Sequence, residues 1–236
     1  MAADETVIED LHDATQRLVR TVDAMDDEQY AGASGLPDWS RAHVVAHLAL
    51  NAEGLAGALT GIGQGKAVAM YLSQERRDRD IEALATADPA ELRERLLSSA
   101  TRLAAALAAL PTDAWSTRIE RTPGNDRTFT AYAVPGMRLR EVEIHHADLG
   151  LAFTHADWPA SFSGRLLGAM VKRDAWAEPF TAAPTDLDGT WQCGDVTDSS
   201  PTVSGSAADL GWWLTGRGDG EGLTSDSGGL PRIEDW

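Results

Sequence analysis

The chain has 236 residues, 43% of them hydrophobic and 24% charged, with a formal charge of −17 and an isoelectric point near 4.6. That length and balance exclude a disordered chain and leave room for one large or two small domains with a buried core. So acidic a chain, without clustered Lys or Arg, excludes nucleic acid and anionic membrane surfaces as partners. An anionic substrate therefore needs a local cation, from a metal or a placed Arg.

No apolar run reaches the roughly 18–20 residues that span a bilayer. The opening Met1-Ala2-Ala3-Asp4-Glu5 lacks the basic and apolar regions of a signal peptide, so a cytoplasmic protein is expected. The single cysteine, Cys193, precludes an internal disulfide framework. It lies in a Gly/Asp-rich stretch with no His nearby in sequence, so the expectation is a small half-buried strand residue rather than a nucleophile.

In chain order, Ile8, Leu11, Leu18, Val22 and Met25 recur at helical spacing. A turn-rich stretch follows from Ala31 to Pro37. Ser40 caps a second helix, with Val44, Leu48, Leu55 and Leu59 on one stripe and the Gly61-Ile62-Gly63-Gln64-Gly65 run at its end. Ser73 caps a short charged helix through Leu84. Asp88-Pro89-Ala90-Glu91 places Asp at the N-cap, Pro at the first helical position and Glu two residues on, and opens a helix that stops at Pro111. A connector from Ala114 to Val134, with a turn at Pro123-Gly124-Asn125-Asp126, leads to a helix over Gly136 to Leu151. Four long amphipathic helices joined in this way predict an antiparallel bundle.

From about residue 155 the pattern changes. A helix is expected over Ala160 to Ala175 and strands over Phe180–Ala183, Gly189–Cys193 and Pro201–Ser204. Ser206 caps a helix to Thr215, ended by Gly216, before a Gly-rich polar tail. The fold class is thus mainly α: a four-helix bundle, residues 1–154, followed by a small α+β domain, residues 155–236.

Chemistry concentrates in Arg140-Glu141-Val142-Glu143-Ile144-His145-His146-Ala147-Asp148-Leu149. Glu141 and His145, four residues apart on a helix, face the same way and can grip one metal ion. His47 lies beside the apolar stripe of the second helix. His47, Glu141 and His145 together supply the three protein ligands, with one open position, of a catalytic zinc site. Glu143 and His146 form a competing pair on another face, and spacing alone does not choose between them. Asp148 shares the Glu141/His145 face and is placed to hold the second nitrogen of a metal-bound His.

The sequence resembles the mycothiol-dependent maleylpyruvate isomerases of the DinB-like metalloprotein group. The resemblance runs in order along nearly the whole chain. It is carried by Leu36-Pro37-Asp38-Trp39-Ser40-Arg41-Ala42-His43-Val44-Val45-Ala46-His47, Asn51-Ala52, Met70-Tyr71-Leu72-Ser73-Gln74-Glu75-Arg76-Arg77, the Arg140-to-Gly150 run, Val203-Ser204-Gly205-Ser206, and Gly216-Arg217-Gly218 leading into Gly222-Leu223-Thr224-Ser225. It implies a DinB-like bundle followed by a small α+β domain, with metal ligands at His47, Glu141 and His145 and a functional Arg217 from the second domain. It implies two cofactors, a divalent metal (zinc) and the thiol mycothiol. It further implies a small dicarboxylate-type substrate, and the chain is expected to be a monomer.

The implied reaction turns maleylpyruvate into fumarylpyruvate, a step of gentisate breakdown. A C=C bond conjugated to carbonyls does not rotate freely. Thiolate addition makes it single, and rotation followed by thiolate loss gives the trans product. A free thiol near pKa 8.5 is mostly protonated at neutral pH, so a metal is expected to activate it or to polarise the substrate carbonyl. Arg217 is then expected to hold a substrate carboxylate or a developing enolate; read from its position alone, it is a helix C-terminal residue facing the dipole. Three rival readings share the same residues: a mycothiol S-transferase, a non-catalytic metal-stabilised binding module, and a hydrolase using zinc-bound water.

Overall fold

A computed structural model describes residues 4–172 and 176–233. The chain falls into two compact units, 1–151 and 152–236. In the first, α1 (Glu5–Ala24), α3 (Arg41–Gly63), α5 (Pro89–Ala109) and α6 (Val134–Asp148) close a ring in which α1 packs on α5 and α6, and α3 packs on both as well. The short helices α2 (Asp27–Ala31) and α4 (Gln74–Ala85) lie against α3, one on each flank of the sequence that carries the ring.

The expected caps stand at the helix starts. Ser40 accepts from the His43 backbone N–H while the His43 ring reaches back to the Ser40 N–H. Ser73 accepts from Arg76 N–H, and Asp88 from Ala90 N–H ahead of Pro89. Each such cap contributes about 1 kcal/mol. Helix α3 is the core of the unit: Val44, Leu48, Leu55 and Leu59 are buried, and so are Val45, Ala46, Ala49, Ala52 and Ala58 on its other faces. Its small residues let α5 and α6 approach, and each buried Leu contributes roughly 1.5–3 kcal/mol.

Several elements differ from the sequence expectation. Helix α6 begins at Val134, with Pro135 in its first turn, and ends at Asp148 rather than Leu151. Helix α2, with a capping box from Asp26 and Gln29, was not expected. The connector carries a hairpin of β1 (Arg118–Glu120) and β2 (Thr128–Thr130), antiparallel, with Ile119 opposite Phe129. Residues 70 and 71 extend it through Met70 N–H to Glu120 C=O and Tyr71 N–H to Arg121 C=O.

The second unit holds a four-stranded sheet in the order β4 (Trp191–Cys193), β3 (Phe180–Pro184), β5 (Thr202–Gly205), β6 (Thr224–Ser225). β3 is antiparallel to β4 and parallel to β5, which is antiparallel to β6. Strand β6 falls in the Gly-rich polar tail, where no strand is expected. Helices α7 (Ala160–Met170) and α8 (Ala207–Leu214) pack on each other and on the sheet, α8 with Trp213 near Phe180. Helix α7 stops at Met170, short of the expected Ala175, and residues 173–175 lie outside the described residues. No helix among the described residues is long and apolar enough to cross a membrane.

Candidate metal centre

Ser40 starts α3 so that His47 falls two turns in, on the side facing α6; on α6, Glu141 and His145 are one turn apart. The ligand-capable atoms of the three all lie within 4.8 Å of one another. His47 Nε2 is 2.8 Å from Glu141 Oε2, and His145 Nε2 is 3.4 Å from the same oxygen. The two imidazoles meet edge to face, with centroids 4.7 Å apart. Two imidazole nitrogens and a carboxylate oxygen converging on one point are the donor set that suits zinc.

The ring nitrogens are sorted by their other partners. His145 Nδ1 is 2.8 Å from Asp148 Oδ2, and Asp148 is fully buried. The carboxylate accepts from Nδ1 and so orients the ring with Nε2 toward Glu141, the nitrogen left to a metal, as in metal-bound histidines. The backbone seats this carboxylate: Gly35 N–H donates to Asp148 C=O at 2.7 Å, and a Cβ at Gly35 would lie 3.3 Å from that oxygen. Asp148→Asn should therefore weaken metal binding by about 10–100-fold. Competition with a chromophoric chelator measures it, and an unchanged affinity would remove Asp148 from the site.

Electrostatics favour a cation here. Burial lowers His47 to about 4, against the opposing pull of Glu141, so it is neutral and ready to ligate at neutral pH. Burial disfavours ionised Glu141, but hydrogen bonds from His145 and His47 outweigh it and hold the carboxyl well below its usual range. His145 is pushed down by burial and up, more strongly in sum, by Asp148 and Glu141, for a net rise.

The competing pair is otherwise engaged. Glu143 pairs with Arg17 and the His146 ring bonds Thr21 Oγ1, so both side chains tie α6 to α1. Spacing alone assigns no place at the site to Trp39, Tyr71, Arg77 and Arg121. Trp39 packs edge-on to His47 at 5.7 Å, delivered by a loop in which Asp38 takes a left-handed φ of 62°. Arg77 Nη2 lies 3.1 Å from His47 Nδ1. The Arg77 and Arg121 guanidiniums both sit over the Tyr71 ring, at 5.7 and 5.6 Å. Gly54 admits this segment onto α3, since a Cβ there would meet Met70 C=O at 2.7 Å. The Met70-to-Arg77 stretch is part of the family resemblance, but only folding places it beside His47.

The mycothiol maleylpyruvate isomerase N-terminal domain model matches residues 11–150, more than half the chain. The chain belongs to this family. Two solved structures extend the likeness to both units. A crystal structure of the mycothiol-dependent maleylpyruvate isomerase superposes with a TM-score of 0.89 at 29% identity, covering 98% of this chain and 96% of that one. A histidine-to-alanine variant of that enzyme gives the same TM-score and coverage at 28% identity. A search among curated proteins gave no match.

The two remaining residues singled out in the sequence lie in the second unit. Arg217 follows α8; its Nη1 donates to Thr215 C=O at 3.0 Å and its guanidinium lies over Trp212. Cys193 is buried in β4, and burial pushes its thiol up to about 12. Neither exposure nor ionisation equips it as a nucleophile. Native protein should thus leave a disulfide reagent such as dithionitrobenzoate unreacted over minutes at pH 8, and release one thiol per chain on unfolding; rapid native reaction would contradict the buried assignment.

Proposed function

We propose that this protein is a metal- and mycothiol-dependent cis–trans isomerase that converts maleylpyruvate to fumarylpyruvate. The observation that carries the reading is the His47/Glu141/His145 triad, backed by Asp148, inside a chain that belongs to the family and is similar to a solved isomerase over nearly the full length. The donor set fits zinc, and His47, Glu141 and His145 are the residues that would hold it. When bound, the metal supplies Lewis acidity that lowers a thiol pKa or polarises a carbonyl. Mycothiol supplies the thiolate whose addition frees the substrate bond to rotate, a group that buried Cys193 does not offer.

The chain's own residues do the positioning. Glu141 and the two histidines present a largely buried set of convergent donors suited to a dication. Asp148 fixes the His145 tautomer. Trp39 covers one edge of His47 and limits water at that side. Arg77, against His47, is a fixed positive charge suited to a substrate carboxylate. Arg217 is assigned, on the resemblance, to a substrate carboxylate or the developing enolate. On this reading the protein works as a cytoplasmic monomer on a small dicarboxylate.

The transferase reading uses the same triad, and product analysis separates the two. Zinc-loaded protein given mycothiol and maleylpyruvate should yield fumarylpyruvate with the thiol recovered unchanged. Accumulation of a stable thioether instead, with a test electrophile consumed readily, would favour the transferase.

A further inference from the structure

A second pocket lies on the bundle, away from the triad. Between α1 and α5 runs a groove of about 1030 Å³, a volume typical of small-molecule sites. Its walls include Leu11, Leu103 and Leu107, and Leu97, which is 54% exposed, extends the apolar surface outward. On α1, Gln16 and Arg20 line it too, with the acids Glu9 and Asp13, so the apolar stretch and Arg138 are where an anion would be held. Arg138 from α6 also lines it, and Arg138 is only 1% exposed.

Arg138 is an unusual wall for an apolar groove. Its Nη1 donates to Leu48 C=O and to Asn51 Oδ1, both at 2.8 Å, which ties α6 to α3. Its Nη2 is buried and has no hydrogen-bond partner among the described residues. Its bonded partners are neutral, in contrast to Arg17, which meets the Glu143 carboxylate. Burial pushes the guanidinium down to about 10, still charged at neutral pH. The Glu141 carboxylate acts on the guanidinium only through its field, and a buried donor left without an acceptor is costly unless another group completes it.

The geometry points to a ligand site in the α1/α5 groove for an amphipathic monocarboxylate, whose head pairs with Arg138 Nη2 and whose apolar body lies along Leu11, Leu103 and Leu107. One free guanidinium nitrogen suits one carboxylate oxygen, and the leucines suit a hydrocarbon chain or ring. The site is independent of the proposed reaction, since none of His47, Glu141 and His145 lines the groove.

Decanoate is a suitable probe, with decanol as its uncharged twin, both titrated into full-length protein by calorimetry below the micelle concentration. Decanoate should bind saturably at one site per chain, and at least about tenfold more tightly than decanol, the discrimination expected of one charge-assisted hydrogen bond. Arg138→Met should erase the difference. Since that change also cuts the tie to α3, a second variant is needed: Ala104→Trp, on the exposed rim, fills the groove without touching the bundle core or the triad. It should abolish decanoate binding with zinc affinity unchanged. Equal affinity for decanoate and decanol, absence of saturable binding, or full binding by Ala104→Trp would overturn the proposal and leave Arg138 as a helix tie only.

Discussion

His47→Ala should strip the metal, abolish turnover and leave the helices folded. The side chain supplies one of three ligands, and its loss leaves Glu141 and His145 as a two-ligand site on α6 alone. Metal catalysis of this kind is worth several kcal/mol of transition-state stabilisation, so activity should fall by about 10³-fold or more. The fold should tolerate the change. Helix α3 is anchored by Val44, Leu48, Leu55 and Leu59, all buried, and Ala is the best helix former. Removing a buried imidazole also leaves Glu141 less well compensated, so a modest drop in melting temperature is expected in the metal-free protein. Elemental analysis together with far-ultraviolet circular dichroism checks both halves. Full metal occupancy in the variant would take His47 out of the site, and lost helicity would make it a structural residue.

Arg217→Ala should keep the metal and lose turnover. If its guanidinium meets a substrate carboxylate or an enolate oxygen, removing it costs a charge-assisted contact, about 10²–10³-fold in kcat/KM. Arg217→Lys should recover only part of this, because an ammonium does not reproduce the planar fork. The alternative is local: Arg217 bonds the Thr215 carbonyl at the end of α8 and covers Trp212. A role confined to that cap would lower the melting temperature of the variant and leave kcat/KM unchanged. The two outcomes are distinguishable in one preparation by steady-state kinetics and thermal unfolding.

What was legible in the sequence was local. Ser40, Ser73, Asp88-Pro89 and Ser206 announce helix starts because a cap and its helix are neighbours in the chain, and all four stand at N-termini. Glu141 and His145 are likewise a one-turn pair. The choice between that pair and Glu143/His146 was not local, because α6 buries several faces at once. Arg17 and Thr21, more than a hundred residues earlier, occupy the second pair. Only the family resemblance pointed to the first pair from sequence. Trp39 and Arg77 reach His47, and Tyr71 with Arg121 over its ring packs beside Arg77, from separate loops or helix starts, a convergence with no periodic trace. The β1–β2 hairpin has strands of three residues, too short for an alternation pattern, and β6 has two. Nothing local marks Arg138 as different from the other arginine of α6, yet it is fully buried.

The central claim is that the triad works only with both a metal and a borrowed thiol. The direct measurement is the conversion of maleylpyruvate, followed through the ultraviolet change of the enol chromophore, with zinc and mycothiol omitted singly and together. Turnover only in the sample holding both is the predicted result. Undiminished turnover by chelator-treated protein, or without any thiol, would contradict it.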